Sequence, residues 1–381
     1  MTCLIERVAK AIEVDPRALT TPCFVYHPGA VATTYEELSC AVGTPVLFSI
    51  KANSNVDLAQ RLMEVMARSG VEVASYKELN LVAARGNTPC YVNNPSMSRR
   101  LMQAAIGAGA HVVLDSPDQV SMLLELAEHR VVRPVMLRAN ASVLSLLRPE
   151  GARLRQDQFG MDWPTLLNQA NRLSSAPFKV AGFHLFAGSN SFLTQALRIA
   201  LAAPDMVRAI ESELGYPLEQ INLGGGFSHR WREDLDLFQS YRTACEGIPN
   251  HVKVFHESGR ALFSDCGIFV TKVLARKTIA GNQYFVCDGG IAQDFLLCGT
   301  ENRMSRPASP RRLSSGSART SLGGMVVGSS CSQDDVLGQV MPETGDPDIG
   351  ELIAFAGCGA YHSSYPGQGF VGLDPAAAFL L

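Results

Sequence analysis

Between residues 46 and 256 short apolar runs alternate with longer amphipathic stretches, and this alternation narrows the fold more than any other feature. The runs are Val46–Ile50, Val71–Ala74, Cys90–Asn93, Val112–Asp115, Pro134–Arg138, Val180–Leu185, Ile221–Leu223 and Val252–His256. Amphipathic segments between them include Val56–Arg68, Lys77–Arg85, Pro117–His129 and Leu193–Leu214. Short, almost wholly apolar runs suit strands covered on both faces, and helices between them deliver each strand parallel to the last. Eight such units predict an α/β protein with a (β/α)8 barrel rather than an open doubly wound sheet.

After Phe255 the pattern changes. Ile268–Arg276, Gln283–Asp288, Met325–Val327, Val336–Val340 and Glu351–Phe355 read as strands separated by Gly, Ser and Pro turns. Thr21–Tyr26 reads as a further strand of the same group. The expected division is a barrel over residues 27–260 and a β-rich domain made of 1–26 with 261–381. Arg303–Ser321, rich in Ser, Pro and Arg without an apolar face, is expected to be a surface loop.

Composition removes several function classes. Formal net charge is −3, so no global basic field invites nucleic acid or an acidic membrane. No apolar stretch approaches the roughly 20 residues of a membrane span, and the first residues lack the order of a signal peptide. The ten cysteines are scattered without metal-type spacing, so no metal site is expected and reduced thiols in the cytoplasm are the simpler reading.

Sites in barrels form where the strands end. The residues ending or following the eight runs include Lys51, Asn53, Ser75, Asn94, Asp115, Arg138, Asn140, His184, Ser189, Gly224–Gly226 and Glu257. Lys51 closes V-L-F-S-I-K, where partial desolvation would lower its pKa and favour attack on a carbonyl, although a strand-tip lysine can also reach into water. The other lysines fit that role less well: Lys10, Lys77 and Lys179 lie on polar or helical stretches, Lys253 begins a strand, and Lys272 and Lys277 fall in the second domain. Gly224–Gly226 would let backbone N–H groups turn toward an anion late in the barrel, with Gly188-Ser189 able to add a hydroxyl. Glu257 could keep a pyridine nitrogen protonated, and Arg260 could contact a phosphate. Together these features specify pyridoxal 5'-phosphate.

The chain resembles the fold-type III pyridoxal-phosphate decarboxylases, the family of ornithine, arginine and diaminopimelate decarboxylases. The likeness runs through T-P-C-F-V-Y, F-S-I-K-A-N, V-A-S-Y-K-E-L, G-F-H-L-F-A-G-S, N-L-G-G-G-F, E-S-G-R, C-S-Q-D-D-V-L and G-A-Y. The resemblance implies an alanine racemase-like fold in which Lys51 carries the cofactor covalently. It implies that Ser189, Gly224, Gly225, Gly226, Gly259, Arg260 and Tyr361 hold the phosphate side, Glu257 the ring nitrogen, and His184 and Phe186 the ring's surroundings. Cys331 matches a cysteine that reaches the neighbouring subunit's cofactor across a homodimer interface and returns a proton after loss of CO₂.

Two departures bear on substrate. The family's ring-stacking histidine is replaced by Phe186, and F-A-G-S is similar to a divergent branch, some of whose members act on carrier-tethered substrates. The acid that follows the catalytic cysteine in ornithine- and diaminopimelate-type enzymes is Ser332 here, and the distal-carboxylate motif of diaminopimelate enzymes is not recognisable in Cys298–Ser309. A bare distal ammonium is therefore disfavoured unless Asp334 or Asp335 substitutes, with Arg138 and Ser332 as further substrate contacts. The expected activity is α-decarboxylation of a non-standard, derivatised or carrier-tethered amino acid. Racemisation on the same cofactor and a non-catalytic cofactor-binding role are the alternatives.

Overall fold

The computed structural model describes residues 2–15, 19–83, 88–298, 309–313, 322–365 and 369–381. Internal contacts divide it into two units. One comprises Thr33–Lys51 and Leu62–Ala261; the other comprises Met1–Ala32, Ala52–Arg61 and Leu262–Leu381.

Strand β1 (Cys23–Tyr26) belongs to the second unit, and the next eight close the barrel. They are β2 (Val46–Ser49), β3 (Val71–Val73), β4 (Cys90–Asn93), β5 (His111–Leu114), β6 (Val135–Ala139), β7 (Val180–Leu185), β8 (Gln220–Asn222) and β9 (Lys253–Ser258). All pair in parallel, and β2 returns to β9 through Val46 opposite His256 and Phe48 opposite Ser258. Each corresponds to one of the eight apolar runs. The interior is filled by Leu47, Tyr91, Val113, Met136 and Phe255 from five different strands, a packed core rather than a pore.

Local chemistry starts and stops the covering helices. Ser116 accepts from the Gln119 N–H ahead of Pro117, and Asp162 accepts from the Thr165 N–H ahead of Pro164. Gly215, at φ 75°, ends the 23-residue helix Phe192–Leu214. The amphipathic segment at 56–68 is two helices, Val56–Arg61 and Met63–Ser69, with the chain passing between units at Leu62.

The second unit is a mixed sheet. It adds β10 (Gly267–Ile279), β11 (Asn282–Cys287), β12 (Arg311–Arg312), β13 (Gly324–Val327), β14 (Val336–Val340), β15 (Leu352–Ala356) and β16 (Ala377–Leu380). The order is β12-β15-β10-β11-β13-β14, with β1 antiparallel to β10 and parallel to β16. A register shift between Val273 and Ala275 lets the first half of β10 pair with β1 and β15, and the second half with β11. The helix Thr2–Val14 lays Leu4, Ile5 and Val8 against Val25, Ile268, Val270 and Ala354.

The surface-loop expectation for Arg303–Ser321 is corrected over part of its length. Arg311–Arg312 pairs with β15, Arg312 bonds Glu351 at 2.6 Å, and Leu313 is buried in the same core. An apolar residue and an ion pair flanking the turn supply what the Ser/Arg composition concealed. The remainder of that stretch lies outside the described residues.

Candidate active site

Lys51 sits just past β2 in the tight helical turn Ile50–Ala52. Its Nζ donates to Glu72 Oε2 at 2.9 Å and Oε1 at 3.1 Å. The lysine side chain is 41 % exposed, whereas the carboxylate is 2 % exposed in the middle of β3. The lysine is thus less buried than a strand-tip desolvation requires, and its immediate neighbour is a buried carboxylate. Burial pushes the Glu72 carboxyl above its usual range, Lys51 opposes this, and the charge of Glu257 adds to it. Glu72 is therefore a ready proton acceptor for Lys51.

Glu257, on β9, is buried but tuned the other way. Its Oε2 accepts from His184 Nε2 on β7 and from Asn222 Nδ2 on β8, both at 3.1 Å. Burial raises its pKa, but the field and hydrogen bond of His184, with Lys51 and Arg138 beyond, outweigh burial and hold it down at about 2. Glu257 is consequently a buried anion. The bond from Nε2 assigns that nitrogen the proton, and the buried Nδ1 has no hydrogen-bond partner among the described residues.

The glycine turn follows β8 directly and is knitted to Glu257. Asn222 Oδ1 accepts from the Gly224 N–H at 2.8 Å, and the Glu257 N–H donates to the Gly224 carbonyl at 3.0 Å. A Cβ at Gly225 would lie 2.1 Å from the Glu257 carbonyl. One at Gly226, where φ is +81°, would lie 2.7 Å from both Gly188 O and Ser191 Oγ. No side chain fits either position, and the turn carrying Ser189 is brought against the glycines. The N–H groups of Gly225 and Gly226 donate to no acceptor among the described residues. Bare amides facing a turn with a hydroxyl make an anion cradle. Phe186, half-buried, follows β7; Gly259 is buried and Arg260 half-buried just past β9.

Arg138 ends β6 and is 7 % exposed. It donates to Asp115 Oδ2 at 2.8 Å and Asn93 Oδ1 at 3.2 Å, and stacks over Phe159 with its guanidinium carbon 4.6 Å from the ring centre. It closes the ends of β4, β5 and β6 into one charged cluster.

The remaining predicted residues lie in the second unit. Tyr361 holds φ 72°, and its N–H donates to the carbonyl of Ala52, the residue after Lys51, at 2.6 Å. Cys331 is exposed and Ser332 half-buried in the loop before β14. Buried Asp335 pins that loop by accepting from the N–H groups of Ile291 at 2.7 Å and Ser330 at 2.9 Å. Each carboxylate oxygen thus accepts from one loop amide. Asp334 is exposed. The same unit brings side-chain atoms of Asp294, Cys358 and His362 within 4.8 Å of one another, and His362 Nδ1 donates to both Asp294 oxygens at 2.7 and 2.9 Å. Sequence spacing carried no sign of that group.

Glu72 and Asn222 were missed in the sequence. A carboxylate between two valines of a buried run was the available signal for Glu72, since a charge there must find a partner.

Residues 30–264 match the family model described as the pyridoxal-binding domain of pyridoxal-dependent decarboxylases. The chain is 28 % identical to an L-glutamyl-[BtrI acyl-carrier protein] decarboxylase of Niallia circulans, over 92 % of this chain and 86 % of that protein. It is 26 % identical to a diaminopimelate decarboxylase of Vibrio cholerae, over 90 % of this chain and 83 % of that one. Among solved structures it is similar to the Paramecium bursaria Chlorella virus arginine decarboxylase bound to agmatine. That likeness has TM-score 0.83 at 15 % identity, covering 99 % of this chain and 100 % of the other, and it bears on the fold alone.

Proposed function

Because the chain belongs to the pyridoxal-dependent decarboxylases, we propose that it removes the α-carboxylate of an amino acid whose distal end is tethered to a carrier protein. That it is an amino-acid decarboxylase dependent on pyridoxal 5'-phosphate follows from the family and its relatives. The tethered substrate and the residue roles are our reading.

The residues fit the cofactor. An anion cradle at Gly225 and Gly226 suits a phosphate, a buried anion at Glu257 suits a protonated ring nitrogen, and Lys51 offers an amine within reach of a proton acceptor. When bound, the cofactor supplies an electron sink for the pair left when CO₂ departs. Lys51 would carry it, with Glu72 taking the proton the ammonium must shed. Ser189, Gly224, Gly225, Gly226, Gly259, Arg260 and Tyr361 would hold the phosphate, and Phe186 would lie against the ring. Glu257, kept ionised by His184 and Asn222, would hold the ring nitrogen protonated. Arg138 would orient the substrate, and Cys331 would return a proton to Cα.

The contrast between Glu72, raised by burial, and Glu257, held at about 2, carries the catalytic reading. The tethered substrate is supported by Ser332, which brings no charge to a distal ammonium, and by Asp335, whose carboxylate the loop amides already occupy. A distal thioester needs no such charge. We further propose a cytoplasmic homodimer whose Cys331 serves the neighbouring subunit, with a cofactor domain over 27–260 and the rest forming the second domain. No helix among the described residues is long and apolar enough to cross a membrane.

The test is CO₂ release from glutamyl-loaded acyl-carrier protein compared with free glutamate, ornithine and diaminopimelate. Preference for the loaded carrier is expected, with Lys51→Ala inactive and no longer labelled by borohydride at position 51. Faster turnover of free ornithine or diaminopimelate would refute the tethered reading.

A further inference from the structure

The longest barrel helix, Phe192–Leu214, is apolar on more than its buried face. Phe192, Ala196, Ile199 and Ala203 point inward, yet Leu193, Leu197 and Leu201 are 58, 40 and 50 % exposed at one-turn intervals. Leu146, 62 % exposed, lies alongside. Its neighbour Ser145 accepts from Arg198 Nη2 of the long helix, and Arg148 donates to the Leu201 carbonyl. Isolated surface leucines need no explanation, but three at one-turn intervals beside a fourth on a neighbouring helix do.

Beside the stripe is a charged rim. Arg198, 8 % exposed, donates to the carbonyls of Arg148 at 2.7 Å and Ala152 at 3.0 Å, so residues 148–152 are tied to the leucine helix. The chain then presents Arg153 and Arg155, both exposed and neither in a hydrogen bond or ion pair among the described residues. Of the nearby acids, Asp115 binds Arg138, Asp157 the Phe159 N–H and Asp162 the Thr165 N–H, and Glu150 is exposed beside them. Arg153 and Arg155 are thus the exposed cations of a mixed-charge rim. Behind it a cleft of about 950 Å³ leads to Asp115 and Asn140 at the carboxyl ends of β5 and β6. That is larger than a free amino acid requires.

We infer that this surface is the docking site of the carrier protein. A helix of the carrier covers Leu146, Leu193, Leu197 and Leu201, and its prosthetic arm enters the cleft with the phosphodiester on Arg153 and Arg155. The inference rests on the tethered-substrate reading. It adds the place and chemistry of recognition: apolar contact for area, and two guanidiniums for phosphate contact.

The test uses the full-length enzyme with two probes, glutamyl-loaded acyl-carrier protein and glutamyl-pantetheine thioester, which lacks both phosphate and protein. R153E/R155E and L197S/L201S alter exposed side chains only. Each is expected to lower kcat/KM for the loaded carrier at least tenfold through KM, and to leave the pantetheine thioester unchanged. Added salt should weaken carrier binding by the wild type and hardly affect that of R153E/R155E. Variants that match the wild type on the carrier would overturn the docking site while the tethered reading stands. Equal losses on both probes, or a change in oligomeric mass for L197S/L201S, would overturn it as well. A wild-type enzyme that neither binds the carrier nor acts on any thioester would overturn docking and tethered substrate together.

Discussion

His256 allows a sharp test of the barrel's electrostatics. It lies on β9 directly before Glu257, is fully buried, and is wedged between two hydroxyls: Thr44 Oγ1 2.7 Å from Nδ1 and Tyr241 Oη 2.7 Å from Nε2. Burial, only partly offset by the charge of Glu257, pulls its pKa from 6.5 down to about 3. Between those values the unfolded chain binds a proton that the folded barrel refuses, so stability falls as pH falls. The slope approaches about 1.4 kcal/mol per pH unit. From pH 7 to pH 5 this single group should remove roughly 2 kcal/mol, and about 4 kcal/mol once pH reaches 3. Both tryptophans, Trp163 and Trp231, lie in the barrel unit, so urea unfolding followed by tryptophan fluorescence reports on that unit. We expect the wild type to lose about 2 kcal/mol more than His256→Gln between pH 7 and pH 5. Parallel pH profiles for the two proteins would refute a neutral, buried His256.

Three further outcomes follow from the site. Gly225→Ala puts a methyl where the Glu257 carbonyl stands 2.1 Å away, so the turn must move; a loss of about 1–3 kcal/mol and weaker cofactor affinity are expected, and unchanged affinity by spectroscopic titration would refute the cradle. Glu72→Gln keeps the shape but removes the acceptor beside Lys51; stability should change by less than about 1 kcal/mol, since the lysine is well exposed. Cofactor reattachment to the apoenzyme should slow by roughly 100-fold, and an unaltered reattachment rate would remove Glu72 from the chemistry. Glu257→Gln should cut decarboxylation by about 100-fold or more while cofactor still binds, and wild-type turnover would refute the ring-nitrogen role.

Much of this was readable in the sequence because parallel strands covered on both faces are apolar almost throughout, so charge appears where they end. Lys51, Arg138, Gly224–Gly226 and Glu257 stand out for that reason. Glu72 broke that rule and was absorbed into its run: period-two alternation turns it into the barrel, but the sequence does not name Lys51 as its partner. Asp335 read as a possible substrate contact because a carboxylate near a catalytic cysteine resembles one. Only the structure reveals the two amides that occupy it. The leucine stripe was hidden differently. A helix rich in apolar residues on several faces yields no unique inward face, and burial alone separates Ile199 from Leu197.

The opposed tuning of Glu72 and Glu257 also explains why the pocket tolerates two buried carboxylates in one field. The charge of Glu257 raises the Glu72 pKa, and the cations cannot serve both equally. His184 and Asn222 contact Glu257 and no described atom of Glu72, so ionisation settles on Glu257. Among the described residues Glu72 accepts hydrogen bonds from Lys51 alone, and the same lysine also lowers Glu257 from farther away. Any step that removes the charge of Lys51 therefore falls mainly on Glu72, which already leans toward protonation, and leaves Glu257 anchored by its two donors. A proton leaving Lys51 thus has a destination at 2.9 Å, and receiving it need not neutralise the anion at Glu257. The two carboxylates divide the work by their partners: one moves a proton, the other holds a charge fixed.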